Sequence, residues 1–253
     1  MRDALLACAK AAADAVSALE DPGAQVGSGY SGAPTSRIDR VAEDALLAKV
    51  EDLGLAVNIL TEERGLIDRG HADLLVCDPV DGTVNALRGI GLWGVSLAVG
   101  QWTLEGLRYG LVFQPENGDV YYAEKGKGAS LNGRPMKTRR LSDGSTLYLV
   151  YLGQSAAPAS YEVAAAGRRT RALGSASLEL CMVARGAANL YYFHSATDAR
   201  LRIVDIAAGV LLVREAGGIV VDLDRKTLDL PLTTAARTNL IAAGDAETLE
   251  ALP

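Results

Sequence analysis

Apolar residues recur at steps of three and four through Leu5, Ala9, Ala12, Val16 and Leu19, which predicts an amphipathic helix ended by Asp21-Pro22-Gly23. After a Gly/Ser-rich stretch, Ile38, Val41, Ala42, Ala45, Leu46 and Leu53 mark the buried face of a second helix, with Gly54 as its stop. Two short apolar runs follow, Leu55 to Leu60 and Leu74 to Cys77; each reads as a buried strand that delivers acids to a loop at its end. Val95–Val99, Gly106–Phe113 and Val120–Ala123 read as an antiparallel meander, and Asn132-Gly133 is a tight-turn signal. Beyond about residue 140 strands and helices alternate: strand Leu147–Leu152, helix Ser177–Arg185, strand Leu190–Phe193. A long apolar helix then opens at Asp205, runs to Ala216 and closes at Gly217-Gly218, before late strands at Ile219–Val221 and Leu240–Ala242. The polar, basic segment Thr138–Ser145 is the best boundary, which divides the chain into an α+β half, 1–140, and an α/β half, 141–253.

Composition narrows this picture. The 253 residues, 49% hydrophobic and 22% charged, suit an ordinary globular chain with a sizeable core. A net charge of −6 argues against nucleic acid as a partner, because a phosphate backbone calls for a basic surface. It does not argue against small phosphorylated ligands, whose charge a metal ion can balance locally. Cys8, Cys77 and Cys181 are widely spaced and odd in number, so neither a disulfide framework nor a zinc site is expected. Asp3, Lys10 and Asp14 break every apolar run near the start, and no stretch reaches the ~20 apolar residues of a membrane span. The expectation is a cytoplasmic protein with no membrane partner.

The candidate chemistry is acidic. In Asp78-Pro79-Val80-Asp81-Gly82-Thr83, Pro79 holds Asp78 extended and Gly82 permits a sharp turn that exposes backbone N–H groups. Two carboxylates across such a turn are costly to keep ionised without a cation, and hard oxygen ligands suit Mg²⁺. Plain turns also use Asp-Pro and Asp-Gly pairs, so this segment alone leaves the metal open. Glu62-Glu63 ends the preceding strand, and Asp205 sits where an ordinary helix N-cap would.

Together these pieces resemble the inositol-monophosphatase superfamily. Asp78-Pro79-Val80-Asp81-Gly82-Thr83-Val84-Asn85 looks like its first signature. Val204-Asp205-Ile206-Ala207-Ala208-Gly209, continuing to Arg214-Glu215-Ala216-Gly217-Gly218, resembles its second. Leu60-Thr61-Glu62-Glu63 and Gly126-Lys127-Gly128-Ala129 with Asn132-Gly133 match further segments, in the family's order. The pattern is closest to archaeal members acting on both inositol phosphate and fructose 1,6-bisphosphate. The resemblance implies a layered αβαβα sandwich of the inositol-monophosphatase/fructose-bisphosphatase type, a homodimer, and Mg²⁺-dependent hydrolysis of a small phosphorylated polyol or sugar.

By the same resemblance Glu62, Asp78 and the Val80 carbonyl hold a first metal, and Asp78, Asp81 and Asp205 a second. Thr83 and Glu62 orient the attacking water, and backbone N–H groups of Gly82 and Thr83 cradle the phosphate. Asp39 and Glu43, at i and i+4 on the second helix, match acids near the family's active site; Arg37 and Arg40 would otherwise balance them on a solvated face. Gly174 and Ser175 match backbone that contacts the organic part of the substrate. Arg200 and Arg202 are candidates for a second phosphate, with Tyr151 a further pocket residue. Val204 stands for the family's Trp and Ala86 for its Phe, both packing positions. The loop Gly32-Ala33-Pro34 lacks the acid that archaeal relatives offer to a third metal, which leaves a third ion open.

Rival readings are weaker. Gly27-Ser28-Gly29-Tyr30-Ser31-Gly32 fits G-x-G-x-x-G, yet no good strand precedes it and the helix starts late. His71 and His194 are the only histidines and there is no G-x-S-x-G elbow, which disfavours a hydrolase triad. The alternatives that stay open are a 3′-phosphoadenosine 5′-phosphate or NADP phosphatase on the same core, whose larger insertions this compact chain has little room for, and a non-catalytic protein that binds a phosphorylated metabolite.

Overall fold

The computed structural model describes residues 1–253 apart from 22, 29–33, 144–145 and 199. Gly29 to Gly32 of the glycine run, Gly32 and Ala33 of the third-metal loop, Pro22 of the first helix stop, and Ser145 at the expected boundary therefore lie outside the described residues.

The helices are α1 (Arg2–Ser17), α2 (Arg37–Asp52), α3 (Thr83–Leu87), α4 (Pro158–Ala166), α5 (Ala176–Ala184), α6 (Ile203–Glu215) and α7 (Ala246–Glu250). A first hairpin pairs β1 (Gln25–Ser28) with β2 (Pro34–Ser36). The large sheet contains β3 (Asn58–Thr61), β4 (Gly65–Ile67), β5 (Leu74–Asp81), β6 (Gly94–Gly100), β7 (Leu107–Gln114), β8 (Asp119–Glu124), β9 (Gly128–Leu131) and β10 (Arg134–Met136). Its strand order is β10-β9-β8-β7-β6-β5-β3-β4, antiparallel except for the β3–β5 pair. The remaining strands are β11 (Leu147–Val150), β12 (Arg169–Arg171), β13 (Leu190–Phe193), β14 (Leu201–Arg202), β15 (Ile219–Val221), β16 (Arg237–Thr238) and β17 (Leu240–Ala243). Of these, β12-β11-β13-β17-β15 form a second sheet, and β14 pairs with β16.

Strand alternation sorts the side chains into layers. Along β5, Leu75 and Cys77 face a cluster with Leu5, Ala9, Ala12, Ile38, Ala42 and Leu46, so α1 and α2 cover one face of the large sheet. Val76, with Leu60, Ala98 and Val112, faces the other way into a cluster with Leu180, Val183, Ile206 and Val210 of α5 and α6. The same cluster takes Tyr191 and Phe193 of β13, whereas Leu190 and Tyr192 point outward with Val163 of α4. The order of layers is helix, sheet, helix, sheet, helix. It explains why α6 is apolar around its whole circumference: every residue from Ile203 to Val213 is buried, because sheets lie on both sides of it. Gly209 sets how closely α6 meets α5, since a Cβ there would stand 2.5 Å from Leu180 Cδ1.

Several expectations shift at their edges. The acid-bearing strand does not stop at Cys77; β5 runs on to Asp81, with its pairing to β6 irregular between Asp78 and Asp81. Asp205 is not the N-cap of α6 but its third residue, the cap being Arg202. The expected Leu55–Leu60 strand is the shorter β3, and α4, β12, β14 and β16 carry no periodic signal long enough to read. The Asn132-Gly133 turn joins β9 to β10, and both residues adopt positive φ, 52° and 77°.

Candidate active site

The parallel register of β3 on β5 places Leu60 beside Val76, so two residues further on Glu62 emerges beside Asp78. Asp205, from the first turn of α6, completes the group: carboxylate oxygens of Glu62, Asp78 and Asp205 all lie within 4.8 Å of one another. Asp78 and Asp205 are buried, and Glu62 is half-buried. Burial, reinforced by repulsion from Glu62, Asp81 and Asp205, pushes Asp78 well above the usual carboxylate range. Burial likewise pushes Glu62 up to about 7, against the pull of the Arg202 charge.

Arg202 is the cation that balances this group in the protein by itself. Its guanidinium reaches Glu62 through Nη1 and Asp205 Oδ1 through Nη2 at 3.1 Å, and its backbone N–H donates to Asp205 Oδ2 at 2.7 Å. Burial works against the Arg202 charge, but the carboxylates of Asp205 and Glu62 outweigh it and hold its proton more firmly.

Asp81 points elsewhere and ties the end of β5 to the start of α5. Its Oδ2 accepts from Ser175 Oγ at 2.5 Å, from the Ser177 N–H at 2.7 Å and from the Ser177 hydroxyl; its Oδ1 accepts the Ala176 N–H at 3.2 Å. It therefore caps α5 from a distant part of the chain. Burial pushes its carboxyl up to about 6, and the serine donors oppose that shift. Gly82 follows with φ of 93°, and a Cβ there would meet Leu92 O at 3.1 Å and Gly174 O at 3.3 Å, so only glycine lets the turn pack against the 174 segment.

Thr83 opens α3, and its hydroxyl lies 3.0 Å from Asp39 Oδ1 and 3.1 Å from the Val80 carbonyl, both acceptors. Ser36 donates to the other oxygen of Asp39. Glu43, one turn on, does not reach the cleft: it is fully buried beneath the end of β3, with Oε1 3.2 Å from Arg64 Nε, and burial pushes it up to about 7. Neither of its oxygens accepts a well-aligned hydrogen bond.

A cleft of about 610 Å³ is lined by Asp78, Asp81, Thr83, Tyr151, Gly174, Ser175, Arg202 and Asp205 among others. The Tyr151 ring stacks on Phe193 at 4.4 Å, and its hydroxyl bonds Ser155 Oγ at 2.7 Å. Arg200 is not among the lining residues; its guanidinium pairs with Asp198 at 2.9 Å on the surface. His71 and His194 do not line the cleft either. A larger cleft of about 780 Å³, bordered by Tyr122, Lys127, Lys137 and Glu215, contains none of the acids above. Sequence reasoning placed Ser177 in the substrate-contacting stretch 174–177 but not as a partner of Asp81, and it missed Glu179; the Ser-x-Ser pair ahead of an apolar helix was the available signal for the first.

A sequence profile described as the inositol monophosphatase family matches residues 2–252. The chain belongs to the inositol monophosphatase family. A relative from Methanothermobacter thermautotrophicus named fructose-1,6-bisphosphatase/inositol-1-monophosphatase is 38% identical over 246 residues, covering 90% of this chain and 85% of that protein. A bifunctional NADP phosphatase/NAD kinase from Methanococcus maripaludis is 32% identical over 240 residues, covering 86% of this chain and 42% of that protein. Among solved structures, an inositol monophosphatase–fructose 1,6-bisphosphatase superposes with a TM-score of 0.86 at 28% identity, over 98% of this chain and 96% of the other. A Pyrococcus horikoshii protein with similarities to inositol-1 monophosphatase gives 0.81 at 31% identity, over 99% and 94%. The layered sandwich described above is thus the inositol monophosphatase fold.

Proposed function

We propose that this chain is a magnesium-dependent phosphomonoesterase that hydrolyses small polyol or sugar phosphates, inositol 1-phosphate and fructose 1,6-bisphosphate. The observation that carries the reading is the meeting of Glu62 from the turn after β3, Asp78 of β5 and Asp205 of α6 within 4.8 Å, with Thr83 lining the same cleft as the two aspartates. The donors are all hard oxygens and their charges need a cation, so the set fits Mg²⁺. Magnesium, when bound, supplies positive charge and Lewis acidity toward phosphoryl and water oxygens.

In this reading Glu62, Asp78 and the Val80 carbonyl hold one ion, and Asp78, Asp81 and Asp205 a second. Asp81 contributes through Oδ1, whose one contact, the Ala176 N–H at 3.2 Å, leaves a lone pair, whereas Oδ2 is taken up by α5. A third ion is left out. The Thr83 hydroxyl donates to Asp39, which turns its oxygen into an acceptor able to orient a water for in-line attack, with Glu62 as the second orienting group. Glu43 supports this only indirectly, by fixing the end of β3 through Arg64. The turn at Gly82 and Thr83 receives the phosphate, and Gly174, Ser175 and Tyr151 border the organic part of the substrate. Arg202, which pairs with Glu62 and Asp205 and lines the cleft, would meet a phosphoryl oxygen; Arg200, paired outward, is assigned no contact.

A second reading, an NADP phosphatase, is favoured by the 32% identical bifunctional relative and by the Tyr151–Phe193 stack on the cleft wall. Compactness does not exclude it, because the similarity to that relative runs over 240 residues without needing a larger chain here. We further propose halves of 1–140 and 141–253, a homodimer and a cytoplasmic location; among the described residues no helix is long and apolar enough to cross a membrane.

The test is phosphate release from inositol 1-phosphate, fructose 1,6-bisphosphate, 3′-phosphoadenosine 5′-phosphate and NADP, each with Mg²⁺ or EDTA. The reading expects magnesium-dependent release from the first two. Preference for NADP selects the second reading. No release from folded, magnesium-binding protein refutes both.

A further inference from the structure

Glu179 has no part in the chemistry above, yet it is a carboxyl with 4% exposure at the foot of the cleft. It stands at the end of the first turn of α5 and reaches back over the start of its own helix. Its Oε1 accepts the Leu173 N–H at 2.9 Å, and it also bonds the buried Tyr191 hydroxyl. The carbonyl of Leu173, in the next peptide group, is held as well: Asn85 Nδ2 donates to Leu173 O at 2.7 Å and to Leu92 O at 2.7 Å.

The segment fixed in this way begins where strand β12 ends, at Arg171, so the sheet ladder no longer fixes it. It also packs against the turn at Gly82. Gly174 adopts φ of 79°, a Cβ on it would lie 3.4 Å from Asn85 Nδ2, and its carbonyl packs against Gly82. Ser175, next along, holds Asp81. A backbone N–H in such a wall must find an acceptor inside the protein, and a long acidic side chain from the following helix provides it.

We propose that Glu179 is a positioning residue: with Asn85 it clamps Leu173 at both its backbone N–H and its carbonyl and thereby sets the Gly174–Ser175 wall against the Gly82 turn, so that it governs substrate affinity more than turnover. The proposal rests on the reading of this wall as a border of the organic part of the substrate. Losing the acceptor leaves the Leu173 N–H unpaired and the wall free to shift.

The experiment compares the full-length parent, Glu179→Gln, Glu179→Leu and Asn85→Ala in two readouts. The first is KM and kcat with Mg²⁺ on whichever substrate the parent turns over. The second is amide hydrogen exchange of the peptide spanning 172–176 in the absence of substrate. Glu179→Leu is expected to raise KM about tenfold, with kcat within about threefold, and to speed exchange at 172–176. Glu179→Gln keeps Oε1 as an acceptor and Tyr191 can turn to accept from the new amide, so it should retain the parent's KM and exchange. Asn85→Ala, which cuts the clamp from the carbonyl side, should repeat the Leu phenotype and serves if the Leu variant does not fold. Parent-like KM and exchange in the Leu or Ala variant, or a Gln variant as impaired as Leu, overturns the clamp. A parent that releases no phosphate refutes the phosphatase reading instead, and exchange at 172–176 still decides the clamp.

Discussion

Replacing Gly209 by alanine sets two effects of opposite sign against each other. Glycine inside a helix is unfavourable by about 1 kcal/mol relative to alanine, so propensity alone predicts a more stable protein. The structure predicts the reverse. A Cβ at 209 would stand 2.5 Å from Leu180 Cδ1 and 2.7 Å from Leu180 Cβ, where atoms cannot coexist. Leu180 is fully buried and α6 is enclosed by sheets, so neither helix has an open side toward which to move. Overpacking of this kind costs about 1–3 kcal/mol and more where backbone must shift; with two contacts below 3 Å we take the upper end. The net loss after the propensity gain is about 2 kcal/mol, or roughly 4–8 °C in Tm for a chain of this size. The shift should also reach the site, because α6 carries Asp205. Thermal melts and magnesium titration of the parent, Gly209→Ala, Leu180→Ala and the double variant provide the check. Leu180→Ala alone should cost about 2–5 kcal/mol, while in the double variant the two methyl-scale errors cancel in part, giving a coupling of about 1 kcal/mol or more. A Gly209→Ala protein that melts above the parent, or strict additivity in the double variant, would refute close helix contact as the reason for this glycine.

Three further outcomes are expected. Arg202→Met removes the cation that pairs with Glu62 and Asp205, so Tm in EDTA should fall while magnesium binding by calorimetry tightens about tenfold; unchanged or weaker binding contradicts the counter-ion role. Asp78→Asn removes a buried carboxyl that is costly to ionise while its amide oxygen still accepts the Val80 N–H, so Tm in EDTA at pH 8 should rise as magnesium-dependent turnover is lost; a lower Tm counts against charge crowding at the site. The pH dependence follows from Glu62, held at about 7 in the folded protein against 4.5 ordinarily. Between those values the unfolded chain has already lost its proton and the folded one has not, so stability is greatest at the acidic end and declines as pH rises toward 7. Glu43 and Glu179, each also near 7, act in the same direction. Melts in EDTA should therefore give a higher Tm at pH 5 than at pH 8, with Mg²⁺ narrowing the gap; the opposite order would show that these carboxyls are not held protonated by burial.

What the sequence by itself determined is what short-range pattern can encode. The three-and-four spacing from Leu5 to Leu19 specified α1, Asn132-Gly133 specified the β9–β10 turn, and the apolar run after Asp205 specified a long apolar helix. The acids at 62, 78, 81 and 205 were legible as well, because their neighbours Gly82, Pro79 and the apolar runs are local features. Tertiary structure decided which of those acids meet. The register of β3 on β5 brings Glu62 to Asp78, and burial of α6 between two sheets brings Asp205 to both from 127 residues further along, whereas Asp81 is drawn to the start of α5. Arg200 and Arg202 look alike in sequence; one turns outward to Asp198 and the other inward to Glu62, because only the second lies on the cap of α6. Asp39 and Glu43 share a helical face, yet one turn of rise carries the first to Thr83 and the second beneath β3 to Arg64. Glu179 gave no signal, since an acid one turn into a helix is unremarkable until the chain folds back and places the Leu173 N–H against it. Periodicity reports which face of an element is buried; what that face touches depends on packing between distant segments, and the chemistry of the site is set there.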